Sequence, residues 1–312
     1  MQARLSARSF VGWTEKKTKD DKTSTQHYCK FLRWEFIEPT YSLMMPLLLT
    51  ASIDTRGMRG AMFSAEERER MYVDTLNFYI SEFEKKGIRG QIVFAENSGW
   101  DKTSVLRQLR TSLRVEIEYI ALPAERFVQE KGKSYNELLM MDLAIEKSDF
   151  IARAGRFFKL TGRFPILNAF ALVEEAERWG KAQGSLRFYG DCKDHRLFDW
   201  LGININGHVG ESRYYAVSTD FWVSHFRGRY AEMNDYEGRI VENLILDVIR
   251  ATKSEPGVHC RYRKQARFTG SGGHTLGNGS AFFHSTDNDS FAIRAKLGVR
   301  QLIRWTFPWL WL

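Results

Sequence analysis

Cysteine is scarce: there are three in 312 residues, at positions 29, 192 and 260. An odd number so widely separated offers neither a disulfide framework nor a metal-ligand spacing, and it points to a reducing, cytoplasmic setting. Long apolar runs are also lacking. Nowhere do about 18 apolar residues follow one another, so no segment is expected to span a bilayer. Arg4 and Arg8 are not followed by the apolar stretch that a secretory signal needs. The glycine-rich stretch 270–273 lacks the Lys-Ser/Thr ending of a P-loop. No helix-turn-helix or sheet-aromatic signature is present, so a nucleic-acid partner is not expected.

What is present is positive charge placed at the ends. Residues 1–33 carry eight Lys/Arg against three acids and residues 248–312 carry ten against three, within a formal net charge of +8. That leaves the middle, 34–247, at about −4. A near-neutral body with basic ends suits an anionic surface met by the termini better than a nucleic-acid groove through the core. Hydrophobic residues make up 43% of the chain, ample for a core, and aromatics 14%, enough for sugar or nucleotide contacts beyond packing.

The pattern along the chain alternates buried strands with amphipathic helices, which predicts an α/β fold with a mostly parallel sheet. Leu47, Leu48, Leu49, Ala51 and Ile53 form a continuous apolar strand ending at Asp54. Ser64 and Glu67 have capping-box spacing at the start of a helix over 65–86 that Gly87 ends. Gln91–Ala95 is a second buried strand, a helix over 101–112 follows, and Val115–Leu122 alternates as a third strand. Ser134 and Glu137 repeat the capping-box spacing at the head of the next helix. Phe157–Thr161 then reads as a buried strand that turns at Gly162-Arg163. A helix over 167–180, a strand at 186–189, a strand at 214–217, and helices at 219–227 and 235–251 complete the body.

Strand ends in such sheets carry the ligand chemistry. Asn97 and Ser98 can hydrogen-bond a base or ribose, or simply make a turn. Arg56 and Arg59 lie in the loop after the first strand and can meet phosphates or serve as ordinary surface arginines. Lys131, Lys133 and the helix start behind them can attract an anion, and Arg163 offers a planar donor fork near the same crevice. Asp191 and Asp194, three apart at a strand end, can hold a divalent cation, Mg²⁺ or Mn²⁺, or cap the next turn. Glu237 is expected in the first turn of the helix over 235–251, where its charge suits the dipole. Glu242 is expected one turn further in, where a general base is the better explanation. Arg261, Arg263, Lys264 and Arg267 run into a glycine-rich stretch ending at His274, a candidate phosphate cradle or lid. His274 and His284 can each ligate a metal or steady a leaving phosphate. The tail 291–312 combines Arg300 and Arg304 with Trp305, Phe307, Trp309 and Trp311, an interfacial signature for an anionic membrane surface, with packing onto the body as the other reading.

The order of pieces resembles a known group: TASID and FAENSG at strand ends, KGKSYNE opening a helix, FFKLTGR on a strand, then an Asp-rich turn. It is similar to the bacterial GT-A-type glycosyltransferases that build capsular polysaccharide, lipopolysaccharide or exopolysaccharide, over about residues 45–275. The resemblance implies a GT-A-like, Rossmann-like sheet binding a nucleotide sugar. Asp54 and Asn97 would then face the base or ribose, Lys133 and Arg163 the diphosphate or sugar, with Arg267 and His274 also on the donor. Glu242 would take the acceptor's proton, and Asp191 would be catalytic or, with Asp194, metal-binding. The Asp-x-Asp of that group is missing after the fourth strand, where Thr161-Gly162-Arg163 stands. The implied organisation is a basic, flexible extension over 1–40, a catalytic domain over 41–254, a Gly-rich basic loop or lid over 255–290, and an amphipathic membrane-surface tail over 291–312. The implied setting is cytoplasmic, peripheral on the inner face of the cell membrane, with a glycan or lipid-linked acceptor. A nucleotidyltransferase of the sugar-nucleotide type is the alternative.

Overall fold

The computed structural model describes residues 44–202, 207–275, 281–285 and 291–307. The N-terminal extension expected over 1–40, and Trp309 and Trp311 of the tail, lie outside them. In chain order the elements are β1 (Leu47–Ala51), α1 (Ala65–Lys86), β2 (Gly90–Glu96), α2 (Lys102–Arg107), β3 (Val115–Ala121), α3 (Lys133–Lys147), α4 (Asp149–Ala154) and β4 (Arg156–Thr161). There follow α5 (Ala169–Gln183), β5 (Phe188–Tyr189), β6 (Cys192–Asp194), α6 (Arg196–Trp200), β7 (His208–Gly210), β8 (Tyr214–Ser218) and α7 (Thr219–His225). The last are α8 (Val241–Thr252), β9 (Val258–His259), β10 (Thr269–Thr275), β11 (Ala281–Ser285) and α9 (Phe291–Thr306).

The expected α/β class is the observed one. A seven-stranded sheet runs in the order β3-β2-β1-β4-β8-β5-β9, parallel except at β8. Side-chain alternation sends Leu47 and Leu49 to one face, against α1 and α5, and Leu48 to the other, against α3, α7 and α8. Both faces are covered, which is why β1 and β2 are buried at every position. β3, at the sheet edge, keeps the charged alternation of Glu116 and Glu118.

Helix α1 follows its local signals closely. Ser64 and Glu67 form the reciprocal capping box and Gly87 closes the helix in the left-handed region at φ 67°. Elsewhere the structure corrects the expected boundaries. α2 ends at Arg107, short of 112. The helix expected from 235 begins at Val241, because Asp235–Glu237 form a separate 3₁₀ turn closed by Gly238 at φ 75°. The stretch 268–274, expected as a loop, enters strand β10, which pairs antiparallel with β11.

Candidate active site at the carboxyl edge of the sheet

Because β8 runs against β4 and β5, its first residues meet the ends of its neighbours, Leu160 opposite Tyr214. One edge of the sheet therefore gathers Asp54, Asn97, Arg163, Asp191 and the residues just before β8, the place where ligands sit in open α/β sheets. At the β1 and β2 tips, the fully buried Glu96 carboxylate accepts N–H groups from Ile53 (3.2 Å), Ser98 (2.9 Å), Gly99 (3.0 Å) and Trp100 (3.1 Å). That knot brings Asp54 and Asn97 together. The Asp54 N–H donates to Ser98 Oγ at 3.0 Å, and Ser52 Oγ donates to Asn97 Oδ1 at 2.7 Å. Arg56 is already engaged: its guanidinium donates to the carbonyls of Ala124 (2.9 Å) and Ser98 (3.0 Å), stitching loops together.

The KGKSYNE segment departs from expectation in an informative way. Ser134 is not the N-cap of α3; Gly132 is, at φ 82°, and a Cβ there would come within 2.7 Å of Asp235 Cβ. The anion at this helix start is the protein's own. Asp235 accepts from the N–H groups of Lys133 (2.6 Å) and Ser134 (3.2 Å). Ser134 Oγ in turn accepts from the Val241 N–H at 3.1 Å, the first of α8. The starts of α3 and α8 are thus clasped to one another.

Between them runs a chain of charges. Lys159, almost wholly buried on β4, donates to Glu137 Oε1 (2.5 Å) and to the Ser212 carbonyl (2.6 Å). Lys133 lies 3.5 Å from Glu137 and 3.8 Å from Glu242. Burial alone would raise the Glu137 pKa, but Lys159 and Lys133 outweigh it and pull it down to about 2. Burial presses the Lys133 pKa down; Glu137 and Glu242 more than offset that and hold it above its ordinary value. Arg163 acts against Lys133's charge, so the two expected donor-binding cations share one field. The Arg163 pKa is lowered, first by burial and then by Arg68, and its Nε is buried without a partner among the described residues. Glu242 lies in the first turn of α8, not one turn in, so the helix dipole favours its charge after all. It accepts from Ser212 Oγ at 2.7 Å and stays partly open.

Glu242, Lys133 and Asp191 line a common hollow of about 480 Å³, walled on its far side by Leu297, Arg300 and Arg304 of α9. Arg163 is not part of its lining. Asp191 and Asp194 do not form the expected pair. Asp191 is buried and accepts from Arg304 (2.6 Å), Tyr214 (3.1 Å) and Arg261 (3.4 Å). Asp194 accepts from Arg250 (2.6 Å), His208 (2.8 Å) and Arg196 (3.0 Å), and its pKa falls to about 2 because these partners outweigh burial. Each carboxylate already has cations of its own, so this donor set does not fit Mg²⁺ or Mn²⁺. Among the described residues no group of three or more His, Cys, Asp and Glu is arranged to hold a metal.

Two further expectations shift. Arg304, placed by its sequence among interfacial cations, is turned inward onto Asp191 and the Tyr262 carbonyl (2.8 Å). Arg261 of the basic run is buried on the same carboxylate, while Arg267 is exposed and its backbone N–H donates to Asn168 Oδ1 at 2.8 Å. The side chains of His274 and His284 lie outside the described residues. Residues that sequence reasoning passed over include Lys159, Ser212, Asp235 and Lys193. Only Lys193 left a local trace: it alternates with Cys192 and Asp194 on β6, which sends it to the other side of the strand.

No known family model matches the chain, and no curated protein matches it. Solved structures similar to it include the galactosyltransferase LgtC with donor and acceptor sugar analogues (12% identity, 66% of this chain and 70% of that chain, TM-score 0.39). Mouse xyloside xylosyltransferase 1 is similar at 11% identity, 69% and 83% coverage and TM-score 0.39. Core-mannan synthase A from Aspergillus fumigatus, in its Mn/GDP form, is similar at 9% identity, 66% and 69% coverage and TM-score 0.36. These neighbours are glycosyltransferases by name; likeness at this level carries no argument about the chemistry of this chain.

Proposed function

We propose that the protein transfers a sugar from a nucleotide-sugar donor to a glycan acceptor, with Glu242 as the general base. The observation that carries this is the placement of the Glu242 carboxylate. It lies in a hollow that also holds Lys133 and a wall of arginines, fixed by Ser212 and open enough to meet a hydroxyl. Glycosyl transfer needs such a carboxylate opposite positive charge. The acceptor O–H proton passes to Glu242 as oxygen bonds the anomeric carbon, and the bond from that carbon to the diphosphate breaks, its electrons leaving with the diphosphate. Lys133 offsets the developing charge, Arg163 adds to the same field from outside the hollow's lining, and Asp54 and Asn97 meet the base or ribose at the neighbouring strand tips. Asp191 touches no reacting atom in this scheme and instead positions Arg304 and Arg261. No step is routed through a metal.

The acceptor in this proposal is lipid-linked, and the enzyme works in bacterial surface polysaccharide synthesis at the cytoplasmic face of the cell membrane. Support comes from α9, whose outward residues Val299, Leu302 and Trp305 are exposed at three-residue spacing. No helix among the described residues is long and apolar enough to cross a membrane. The test is a screen of UDP-, GDP-, CMP- and TDP-sugars for hydrolysis or transfer, followed by Glu242→Gln. The variant should lose about 10²-fold or more in kcat while donor affinity changes little. Undiminished turnover in Glu242→Gln removes the assigned base, and no turnover with any sugar nucleotide removes the proposal.

A further inference from the structure

The hollow contains more positive charge than its own carboxylates match. Arg213 is held by Glu211 at 2.5 Å, Arg304 by Asp191 at 2.6 Å, and Lys133 by Glu137 and Glu242 at 3.5 and 3.8 Å. Lys193 and Arg300 line the same hollow, yet among the described residues neither has a carboxylate within ion-pair distance. Burial first, and then Arg300, act against Lys193's charge. Glu211 and Asp191 act on Lys193 in the opposite sense, but each is bonded to an arginine of its own, so the two cations keep charge that an anionic ligand can take up.

Both cations stand on fixed supports. Lys193 lies on β6, which is paired with β7 and held to the main body by the Cys192 N–H on the Cys260 carbonyl at 3.2 Å. Arg300 is one turn before Arg304, whose two bonds clamp α9 to Asp191 and Tyr262. Gln301 adds two more, donating to the Arg263 carbonyl (2.5 Å) and accepting from the Gln265 N–H (3.1 Å). Asp191 and Asp194, which flank Lys193, are both occupied by other side chains. The charge available to a polyanion here is therefore that of the two side chains.

We infer that Lys193 and Arg300 form a diphosphate subsite, in which protein cations take the place that a divalent ion has at an aspartate pair. This rests on the sugar-nucleotide proposal for its biological donor, but its chemistry does not. A planar guanidinium and a point ammonium from separate elements suit the oxygens of two linked phosphates. A diphosphate can reach the hollow as the leaving group of a donor or as the linkage of a lipid acceptor.

The test is calorimetric binding of inorganic pyrophosphate to the full chain in EDTA, for wild type, Lys193→Gln, Arg300→Gln and the double variant. Each single change should weaken binding by about tenfold, and the double by about 10²-fold. Lys193→Arg should restore most of the loss, and without ligand the variants should unfold at no lower temperature than wild type, which separates a lost site from a lost fold. UDP and geranyl diphosphate are the two further arms. Loss of UDP affinity places the subsite on the donor, and loss of geranyl diphosphate affinity places it on the acceptor. Pyrophosphate binding that is unchanged in the double variant, or that arises only when Mg²⁺ or Mn²⁺ is restored, overturns the inference. If pyrophosphate binds through these two residues but no sugar nucleotide turns over, the subsite stands and the glycosyltransferase proposal falls.

Discussion

Lys159 is the residue on which the interior of the site depends. Its ammonium is buried on β4, and one partner, Glu137, is a buried carboxylate. Removing Lys159 leaves the buried Glu137 with only the more distant Lys133 at 3.5 Å, so Lys159→Met should destabilise the protein by about 3 kcal/mol in urea unfolding. The same pair sets an acid limit. The Glu137 pKa lies near 2 in the folded chain against an ordinary 4.5. Its contribution to stability is therefore full above about pH 4.5 and is lost as pH falls towards 2. In Lys159→Met the acid unfolding midpoint should move to higher pH; an unchanged midpoint would separate Glu137 from acid stability. His208 has the opposite sign. Bonding to Asp194 raises its pKa, so its contribution is present below its ordinary value of 6.5 and fades as pH rises through the folded one. From the sequence, Lys159 is only an interruption in an apolar strand. Its partners are 22 and 53 residues away, a distance across which no local pattern carries information.

Helix starts show the same division at the level of elements. Every group that caps α1 lies within the helix's own termini, and Ser64, Glu67 and Gly87 could be read directly from their spacing. At α3 the same Ser-x-x-Glu spacing misleads. Ser134 is drawn into the helix and its hydroxyl serves α8, while Glu137 is taken by Lys159. The cap arrives from Asp235, 102 residues further on. In the sequence Gly132 only precedes the helix, and nothing local marks it as the glycine that leaves room for that carboxylate. Asp235→Ala should cost about 1–2 kcal/mol, the range for losing a helix cap with its dipole complement. Ser134→Ala should cost about 1 kcal/mol. Because both tie the same two helices together, the double variant should show a coupling energy of at least about 0.5 kcal/mol in a double-mutant cycle. Strict additivity would mean that the two caps act separately. Glu242 lies in the α8 turn that this clasp fixes, so Asp235→Ala should also lower kcat more than it weakens donor binding.

Across the whole molecule, α9 has two faces with different tasks. The inner face, through Arg300, Gln301 and Arg304, closes the hollow and neutralises Asp191. The outer face leaves Leu302 57% and Trp305 65% exposed. Basic and aromatic residues together read as an interfacial segment from sequence, and in the structure the exposed row of Val299, Leu302 and Trp305 lies on the outer face. What periodicity did not reveal is that Arg304 belongs to the inside, because its partner lies 113 residues earlier at the end of another strand. Removing 291–312 therefore cannot isolate a membrane role: it would also leave Asp191 buried without its nearest cation. Changing only the outer face can. Burial of a large apolar side chain is worth about 1.5–3 kcal/mol, so Leu302→Ser with Trp305→Ser should lower sedimentation with anionic vesicles by at least about tenfold. Thermal stability and the hydrolysis of donor in solution should stay at the wild-type level, since neither side chain lines the hollow. Arg304→Met should do the reverse, lowering stability while the exposed row remains in place. Vesicle binding that survives loss of Leu302 and Trp305 would show that α9's outer face is not what meets the bilayer.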